Sequence, residues 1–212
     1  MKHRPLFFFI LLFISSKTLA VNDHLILSDD APKRLSEYNF FLDPIKQLPN
    51  EHVVPYDLIT ALFSDYTDKH RFVYVPNGMT AEYNNEEVFD FPVGAALIKT
   101  FSYQEADGGQ LLLETRLLLH KHDGWDALTY VWDINRGDAY LALGGKTIDV
   151  RNVITPSDSD YIRYRAPNKN QCKECHLKND AVEPIGPKPR NINKLFVYKD
   201  DLERNQIDHW TA

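Results

Sequence analysis

Cysteine is nearly absent from this chain: among its 212 residues, only Cys172 and Cys175 carry a thiol. No other cysteine therefore competes for pairing with these two. The chain also has no Gly-rich phosphate loop and no Gly-x-Ser-x-Gly elbow, so it lacks the sequence signs of a P-loop nucleotide site and of a serine hydrolase. Methionine is equally scarce, because Met79 is the only one after the initiator. No internal repeat or low-complexity tract is visible.

Long apolar runs are confined to the first 20 residues. Lys2 and Arg4 form a basic start, residues 6–14 are an unbroken apolar run, and residues 18–20 supply the small side chains of a cleavage site. This pattern predicts a signal peptide over residues 1–20. The run is too short to span a bilayer and no cysteine follows it to accept a lipid, so we expect a soluble periplasmic or secreted protein with no membrane span after signal removal.

The charge balance is acidic. Removal of the signal peptide takes three of the 24 basic residues and leaves all 30 acidic ones, a net charge of about −9. Such a charge argues against nucleic acid as a partner and suits a basic one. About 190 residues are enough for one sizeable domain with terminal extensions.

Two segments precede the predicted sheet. Residues 21–50 mix charge with three prolines and show no sustained period, so we expect an N-terminal extension that packs over the domain. Pro55 then opens residues 56–66, whose apolar residues recur on one side of a helix. This stretch predicts an α-helix.

From Arg71 onward the apolar period shortens to that of β-strands. Turn chemistry such as Pro76-Asn77-Gly78 and Gly144-Gly145 separates the runs at the spacing of an antiparallel meander. Residues 51–212 therefore predict a mainly β (α+β) domain: an antiparallel sheet with a few short helices, one of them over residues 200–210. Three prolines within residues 184–189 favour an extended wall. The predicted strands are residues 72–75, 95–103, 111–121, 127–134, 139–143, 146–153 and 161–165.

The two cysteines form the pattern Cys172-Lys173-Glu174-Cys175-His176. This spacing is that of c-type haem attachment, in which each thiol joins one vinyl group of the same porphyrin. The adjoining His176 would give iron its proximal nitrogen. The sequence therefore predicts one covalently attached haem in a C-terminal attachment loop.

Other interpretations of the pair remain open. A thioredoxin-like redox motif would open a helix after a strand of a βαβ unit, and no such unit is visible. Structural zinc would need a fourth ligand besides Cys172, Cys175 and His176. A disulfide is also compatible with an oxidising compartment, although it would not require the histidine.

The distal side of the haem would decide its chemistry. Met79 is a candidate thioether ligand for a six-coordinate electron carrier. Arg116 is expected to pair with Glu114 or another carboxylate, and it could neutralise a haem propionate or polarise a distal ligand. The remaining candidate ligands are His70, His120, His122 and His209.

The order of motifs resembles that of a family of exported bacterial proteins with one c-type haem. The similar residues are 91–99 (Phe-Pro-Val-Gly-Ala-Ala-Leu-Ile-Lys), Glu114-Thr115-Arg116, Gly124-Trp125 and the terminal Cys-x-x-Cys-His. More distantly, the chain is similar to cytochrome P-four-sixty and cytochrome c prime beta. The resemblance implies a single haem held against an antiparallel sheet, with a distal side open to small ligands. It also implies that this chain is a shortened member of that family, because the family's sequences usually continue past the positions that correspond to residues 205–210.

Lys99 falls where the first of those cytochrome families joins a lysine covalently to the porphyrin, and the resemblance implies such a cross-link as one alternative. By strand alternation, Lys99 shares a face with Leu97 and Phe101, so its ammonium group needs a partner or a route to water. The other alternative is that its stem lies along the sheet and its ammonium group reaches solvent.

Three functions follow as expectations. The first is electron transfer with an unknown redox partner, or binding of a small ligand such as nitric oxide or carbon monoxide. The second is a haem enzyme that oxidises hydroxylamine or reduces peroxide or nitric oxide. The third is an exported structural β domain whose cysteines form a disulfide or bind zinc.

Overall fold

The computed structural model describes residues 19–155 and 161–211 of the chain. Most of the predicted signal peptide, residues 1–18, lies outside the described residues. Within the described part, no helix is long and apolar enough to cross a membrane.

The described residues are mostly β-strand, with short helices between and after the strands. The strands are β1 (Phe41–Asp43), β2 (Leu48–Pro49), β3 (Val53–Tyr56), β4 (Asp68–Tyr74), β5 (Ala96–Gln104), β6 (Gln110–Lys121), β7 (Gly124–Asp133), β8 (Asp138–Leu141), β9 (Lys146–Arg151), β10 (Tyr161–Ala166), β11 (Leu177–Lys178), β12 (Ala181–Val182), β13 (Leu195–Val197) and β14 (Glu203–Asn205). The α-helices are α1 (Asp23–Leu27), α2 (Lys169–His176), α3 (Pro189–Ile192) and α4 (Gln206–Thr211), with 3-10 turns at Leu35–Tyr38 and Ile134–Arg136.

Strands β3 to β8 form one antiparallel sheet in chain order. This meander confirms the predicted fold class, and each strand predicted from residue 72 onward is present with bounds that differ by a few residues. Strands β9 and β10 pair separately as a two-stranded hairpin. The order of the strands explains the success of the prediction, because every pairing in this meander joins strands that follow one another along the chain, and short turns connect β5 to β8.

One face of the sheet is covered by the N-terminal segment. Alternate apolar residues of β4 to β8 point to this face and enclose Ile26, Leu35, Tyr38 and Phe40, all of which are buried. Burial of such apolar surface is the main stabilising term of the fold. The segment 21–50 therefore contributes to the largest core cluster of the described residues.

The other face carries two apolar clusters separated by a polar gap. One cluster gathers around Val73, Leu97 and Phe91, and the other around Phe101, Val131 and Tyr164. Residues from the C-terminal part, among them Ile192, pack on this face. The gap between the two clusters is where the candidate site lies.

The predicted helix over residues 56–66 is wrong. Pro55 lies inside β3, where Val54 pairs with Val73 and Tyr56 with Arg71. Residues 57–67 form an irregular loop. Of the apolar residues that suggested a helix face, Leu58 is half-buried against a core cluster, while Ile59, Leu62 and Phe63 are exposed. An amphipathic helix is stable only when its apolar face is covered.

Two C-terminal predictions need correction. The predicted helix over residues 200–210 is a strand, β14, followed by the helix α4, because residues 203–205 pair with β13. The haem-attachment motif was expected in a loop, but it forms the helix α2. Asn168 explains that helix, since it supplies an N-terminal cap.

Candidate haem-attachment site

Helix α2 begins at a capping box. The Asn168 side chain accepts a hydrogen bond from the Gln171 backbone N–H at 2.9 Å, and the Gln171 side chain accepts one from the Asn168 N–H at 3.0 Å. Pro167 precedes the cap and keeps the residues before it out of the helix. These short-range bonds stabilise the first turn and place both cysteines in the turns that follow.

The two thiols occupy different environments. Cys172 is buried, and its Sγ lies 3.7 Å from the hydroxyl of Thr129 on β7. Cys175 is exposed one turn later. Residues three apart are neighbours on a helix surface, so both thiols can address a single flat group beside α2.

His176 is held by the chain that follows it. Strands β11 and β12 return the backbone so that Glu183 N–H donates to the His176 carbonyl at 2.8 Å. In the reverse direction, His176 Nδ1 lies 2.8 Å from the Glu183 carbonyl oxygen. A carbonyl can only accept, so Nδ1 carries the proton and Nε2 keeps its lone pair. Burial lowers the pKa of His176, which favours this neutral form.

Gly145 fixes the approach to α2. Its φ is +70°, and a Cβ at this position would lie 2.6 Å from the carbonyl oxygen of Ala166 and 2.8 Å from the Asn168 nitrogen. The turn between β8 and β9 therefore packs directly against the backbone that leads into the helix. Only glycine allows both this φ and this approach.

A row of cations crosses the sheet toward Cys172. Arg71 of β4, Lys99 of β5 and Arg116 of β6 are successive cross-strand partners, and the next partner along is Thr129 of β7. We call Arg71, Lys99 and Arg116 the cation row. Because partners in register point to the same side of a sheet, these three side chains line the polar gap that ends at Cys172.

The two arginines of the cation row already have carboxylate partners. Arg116 donates two hydrogen bonds to one oxygen of Glu114, as predicted, and the Tyr164 hydroxyl donates to the same oxygen. Glu114 is fully buried, and its second oxygen has no partner among the described residues. Arg71 bonds to Asp57 at 2.8 Å.

The lysines of this face differ from the arginines. Among the described residues, Lys99 has no carboxylate within ion-pair distance, and its Nζ lies 4.9 Å from the centre of the Phe101 ring. Lys69 is similar: its Nζ lies 5.9 Å from the same ring and donates to the Thr67 carbonyl at 2.8 Å. Burial and then the neighbouring charge of Arg116 lower the pKa of Lys99 to about 8. Burial and then the charge of Arg71 also lower the pKa of Lys69.

The charges of the cation row shift the pKa values of the motif residues. The positive charges of Lys99 and Arg116 add to burial in lowering the pKa of His176, and Lys99 and Arg116 also favour the thiolate of Cys172. Burial outweighs that effect and raises the pKa of the Cys172 thiol. The predicted residues Lys99, Arg116, Cys172 and His176 therefore belong to one electrostatic environment.

Exposed apolar side chains lie on the loop 57–67 and on the segment that follows the motif. The loop 57–67 is anchored near the row by the bond of Asp57 to Arg71 and by a hydrogen bond from the Tyr103 hydroxyl to the Asp65 carbonyl at 2.6 Å. Helix α2 lies over β7, on the order of 14 Å away across three strand spacings. The exposed residues are Ile59, Leu62, Phe63 and Tyr66 on the loop, and Leu177 and Ile185 after the motif.

The structure places the candidate distal ligands in several environments. Met79 is 52% exposed in the turn after β4, and it belongs to none of the three apolar clusters of the described residues. His70 bonds to Gln110, and His122 is exposed in a turn. His209 packs at a tilt against Tyr198, with ring centres 3.7 Å apart, beside a separate cavity of about 420 Å³.

His120 has a defined orientation. Its Nδ1 donates to the Phe91 carbonyl at 2.8 Å, and its ring stacks on Trp125 at 4.5 Å. It therefore packs against the apolar cluster that lies on the far side of the cation row from Phe101. The strand register places it on the same face of β6 as Arg116.

Sequence reasoning missed four contributors: Asp57, Lys69, Arg71 and Glu183. Asp57 was hidden in a predicted helix, and Glu183 meets His176 only through the β11–β12 hairpin. The pattern of β4 did contain a signal for Lys69 and Arg71, since both alternate with the apolar residues of the other face. The alternation points to the site only when the pairing of Arg71 with Lys99 is known.

The geometry also bears on the other interpretations of the cysteine pair. A thioredoxin-like nucleophile needs a lowered thiol pKa at a helix N-terminus, whereas burial raises that of Cys172. Both cysteines are free thiols. Within the described ranges, no group of three or more His, Cys, Asp or Glu side chains is placed to hold a metal ion. Haem iron needs no such group, because the protein supplies only axial ligands.

No protein-family model, no curated protein and no solved structure matches this chain. The resemblance drawn from sequence motifs therefore stays a prediction. The function is argued below from the geometry around α2 and the cation row.

Proposed function

We propose that this protein is an exported c-type haem protein that transfers an electron or binds a small ligand such as nitric oxide or carbon monoxide. Cys172 and Cys175 would tether one haem, and His176 would be the proximal iron ligand. The periplasm or the cell exterior is the proposed location, because residues 1–20 have the pattern of a signal peptide. Its redox partner would be a basic protein, in keeping with the acidic charge of the chain.

The observation that carries this proposal is the orientation of His176. Metal-bound histidines usually donate their second ring N–H to a carbonyl or carboxylate, which fixes both tautomer and ring direction. The 2.8 Å bond of Nδ1 to the Glu183 carbonyl has this form and leaves Nε2 free. A histidine that served only to fill space would not need the return of β11 and β12 to hold its ring.

The surrounding residues fit the same group. A haem has an apolar ring and two carboxylates at one edge, so it suits a gap that combines exposed apolar side chains with positive charge. The loop 57–67, which Asp57 joins to Arg71, would supply apolar side chains, and the cation row would supply the charge. The exposed thiol of Cys175 and the buried thiol of Cys172 lie on neighbouring turns beside this gap.

When bound, the haem supplies an iron that changes oxidation state and binds small ligands. Cys172 and Cys175 would hold the group through thioether bonds, in which one S–H bond and one vinyl π bond are replaced by one C–S bond and one C–H bond with no oxidant or reductant. Thr129 contacts the buried thiol, the Glu183 carbonyl directs the imidazole, and burial lowers the pKa of His176 and so favours its neutral form. Arg116, held by Glu114, keeps a positive charge beside the motif.

The test is to produce the exported protein in a bacterium with an active haem-maturation system. We expect a red protein whose pyridine haemochrome shows two thioether bonds, while Cys172→Ala/Cys175→Ala made in parallel carries no covalent haem. A low-spin six-coordinate spectrum would indicate an electron carrier. A high-spin spectrum that shifts with carbon monoxide or nitric oxide would indicate ligand binding. A colourless wild-type protein would refute the proposal.

A haem enzyme is the second candidate, and Lys99 is the observation that favours it. An amine with a pKa of about 8 can donate and accept protons near neutral pH, as general acid–base catalysis requires. Turnover of hydroxylamine, peroxide or nitric oxide that falls in Lys99→Met would support this candidate. Mass spectrometry of the haem peptide also tests the cross-link, which requires Lys99 to be recovered with a porphyrin adduct.

A further inference from the structure

Two half-buried lysines on the motif face hold positive charge without a carboxylate partner. The cation row and Lys69 place four cations of the described strands on this face, and two of them are bonded to acids: Arg71 to Asp57, and Arg116 to Glu114. Lys69 and Lys99 lack such a bond among the described residues. Positive charge that is partly removed from water is unfavourable when no anion is near. An anionic group that bound beside Lys69 and Lys99 would therefore be stabilised.

The two ammonium groups lie beside the same aromatic ring. Both are placed over the ring of Phe101, at 5.9 Å for Lys69 and 4.9 Å for Lys99. Because both distances are measured to the centre of the Phe101 ring, the distance between the two nitrogens is at most the sum of the two values. The guanidinium of Arg116 also lies over this ring, at 4.2 Å from its centre. One fully buried ring therefore sets the positions of three cations.

Arg116 is less suited than the lysines to take an external carboxylate. Its Nε and one terminal nitrogen are already bonded to Glu114, whose oxygen also accepts from Tyr164. A carboxylate that arrived at Arg116 would meet the negative charge of Glu114. Lys99 makes no ion pair with an acid among the described residues, and the contact of Lys69 with the Thr67 carbonyl leaves two of its three N–H donors available.

We propose that Lys69 and Lys99 bind the two propionates of the haem, one on each lysine. This inference rests on the proposed function and adds a residue, Lys69, that the sequence did not single out. It also moves the propionate contact expected at Arg116 to the two lysines. The porphyrin edge with its acids would then lie toward β4 and β5, while the vinyl edge faces α2 over β7.

The experiment compares a porphyrin diacid with its diester on a chain that cannot form thioethers. The background is the full mature chain with Cys172→Ala/Cys175→Ala, and the probes are iron protoporphyrin IX and its dimethyl ester, titrated by absorbance. We expect the diacid to bind at least about tenfold more tightly, because each charge-assisted bond is lost in the ester. Adding Lys69→Gln and Lys99→Gln should bring the ratio of the two affinities close to one.

Lys46→Gln is the matched control, since Lys46 is an exposed lysine with 81% of its side chain accessible on the N-terminal segment. It should leave the ratio unchanged, and urea unfolding should show that every variant is folded. A ratio that survives the loss of both lysines would overturn the assignment while leaving the proposed function intact. Failure of the parent chain to bind either porphyrin would also overturn it. The haemochrome of the exported wild-type protein would then decide the proposed function separately.

Discussion

The imidazole of His176 and the backbone of Glu183 are joined twice, by Nδ1–H to the carbonyl oxygen and by Glu183 N–H to the His176 carbonyl, each at 2.8 Å. This double connection sets both the tautomer and the direction of the ring. It makes the histidine of the motif the most constrained of its three functional residues.

Replacement of this histidine is therefore expected to change the metal environment and not the attachment. In His176→Ala, both thioether bonds should still form, while the absorption and electron paramagnetic resonance spectra of the iron should lose the features of histidine ligation. His122→Ala is the control, because His122 is exposed in a turn. Unaltered spectra in His176→Ala would show that another residue holds the iron.

The two cysteines should behave unequally when replaced singly. Each variant should retain one thioether, which the pyridine haemochrome detects as a shifted band. We expect Cys172→Ala to lower the yield of holoprotein more than Cys175→Ala, because Cys172 is buried against Thr129 whereas Cys175 is exposed. Equal yields, measured as haem per polypeptide, would contradict this order.

Gly145 should be far less tolerant of a side chain than Gly137. Both have positive φ, +70° and +66°, so alanine costs either position about 1–2 kcal/mol of backbone strain. At Gly145 the new Cβ would also meet the backbone of Ala166 and Asn168, and we expect a further loss of about 2 kcal/mol or more. Urea unfolding of the two alanine variants measures the difference. Equal losses would show that the approach of this turn to α2 is not needed.

The Glu114 carboxylate should contribute more to stability than one of its hydrogen bonds. Glu114→Gln removes the charge that Arg116 faces, and we expect a loss of about 3 kcal/mol in the free energy of unfolding, at the low end for buried pairs because Arg116 is 26% exposed. Tyr164→Phe removes one neutral donor and should cost about 1 kcal/mol. Chemical denaturation of both variants tests the order, and a smaller effect in Glu114→Gln would refute it.

Lys99 should make the stability of the haem-free chain depend on pH. Its pKa falls from 10.5 in the unfolded chain to about 8 in the folded chain. Between those two pH values the unfolded chain keeps a proton that the folded chain has released, so lowering the pH destabilises the fold. The loss of stability caused by the charged Lys99 is fully present below about pH 8 and disappears as the pH rises toward 10.5. In the Cys172→Ala/Cys175→Ala background, Lys99→Met should therefore stabilise the chain at pH 7 by about 1–3 kcal/mol.

The difference between the two chains, and not the absolute stability, is the quantity to measure for Lys99. Buried tyrosines such as Tyr103, whose pKa burial raises to about 12, act in the opposite direction above pH 10. They are present in both chains and cancel. A gain from Lys99→Met that is the same at pH 7 and pH 10 would show that Lys99 is not a strained cation.

The comparison of sequence with structure separates short-range from long-range information. The strands of the meander could be predicted because alternation and turn residues act over a few positions, and each pairing joins sequence neighbours. The helix expected over residues 56–66 failed because a local apolar period cannot show whether a core exists to cover it. The attachment helix α2 was missed as a helix, although the Asn168 cap was visible in the sequence.

By itself, the sequence determined the alternation of the sheet, the spacing of the cysteine pair with its histidine, and the acidic charge of the chain. Only the tertiary structure decided that Arg71, Lys99, Arg116 and Thr129 lie in one row that ends at Cys172. The physical reason is that cross-strand register depends on pairings between residues 13 to 28 positions apart, which no local pattern specifies. The same holds for Lys69 and Lys99, because only the folded structure shows which carboxylates lie near each lysine.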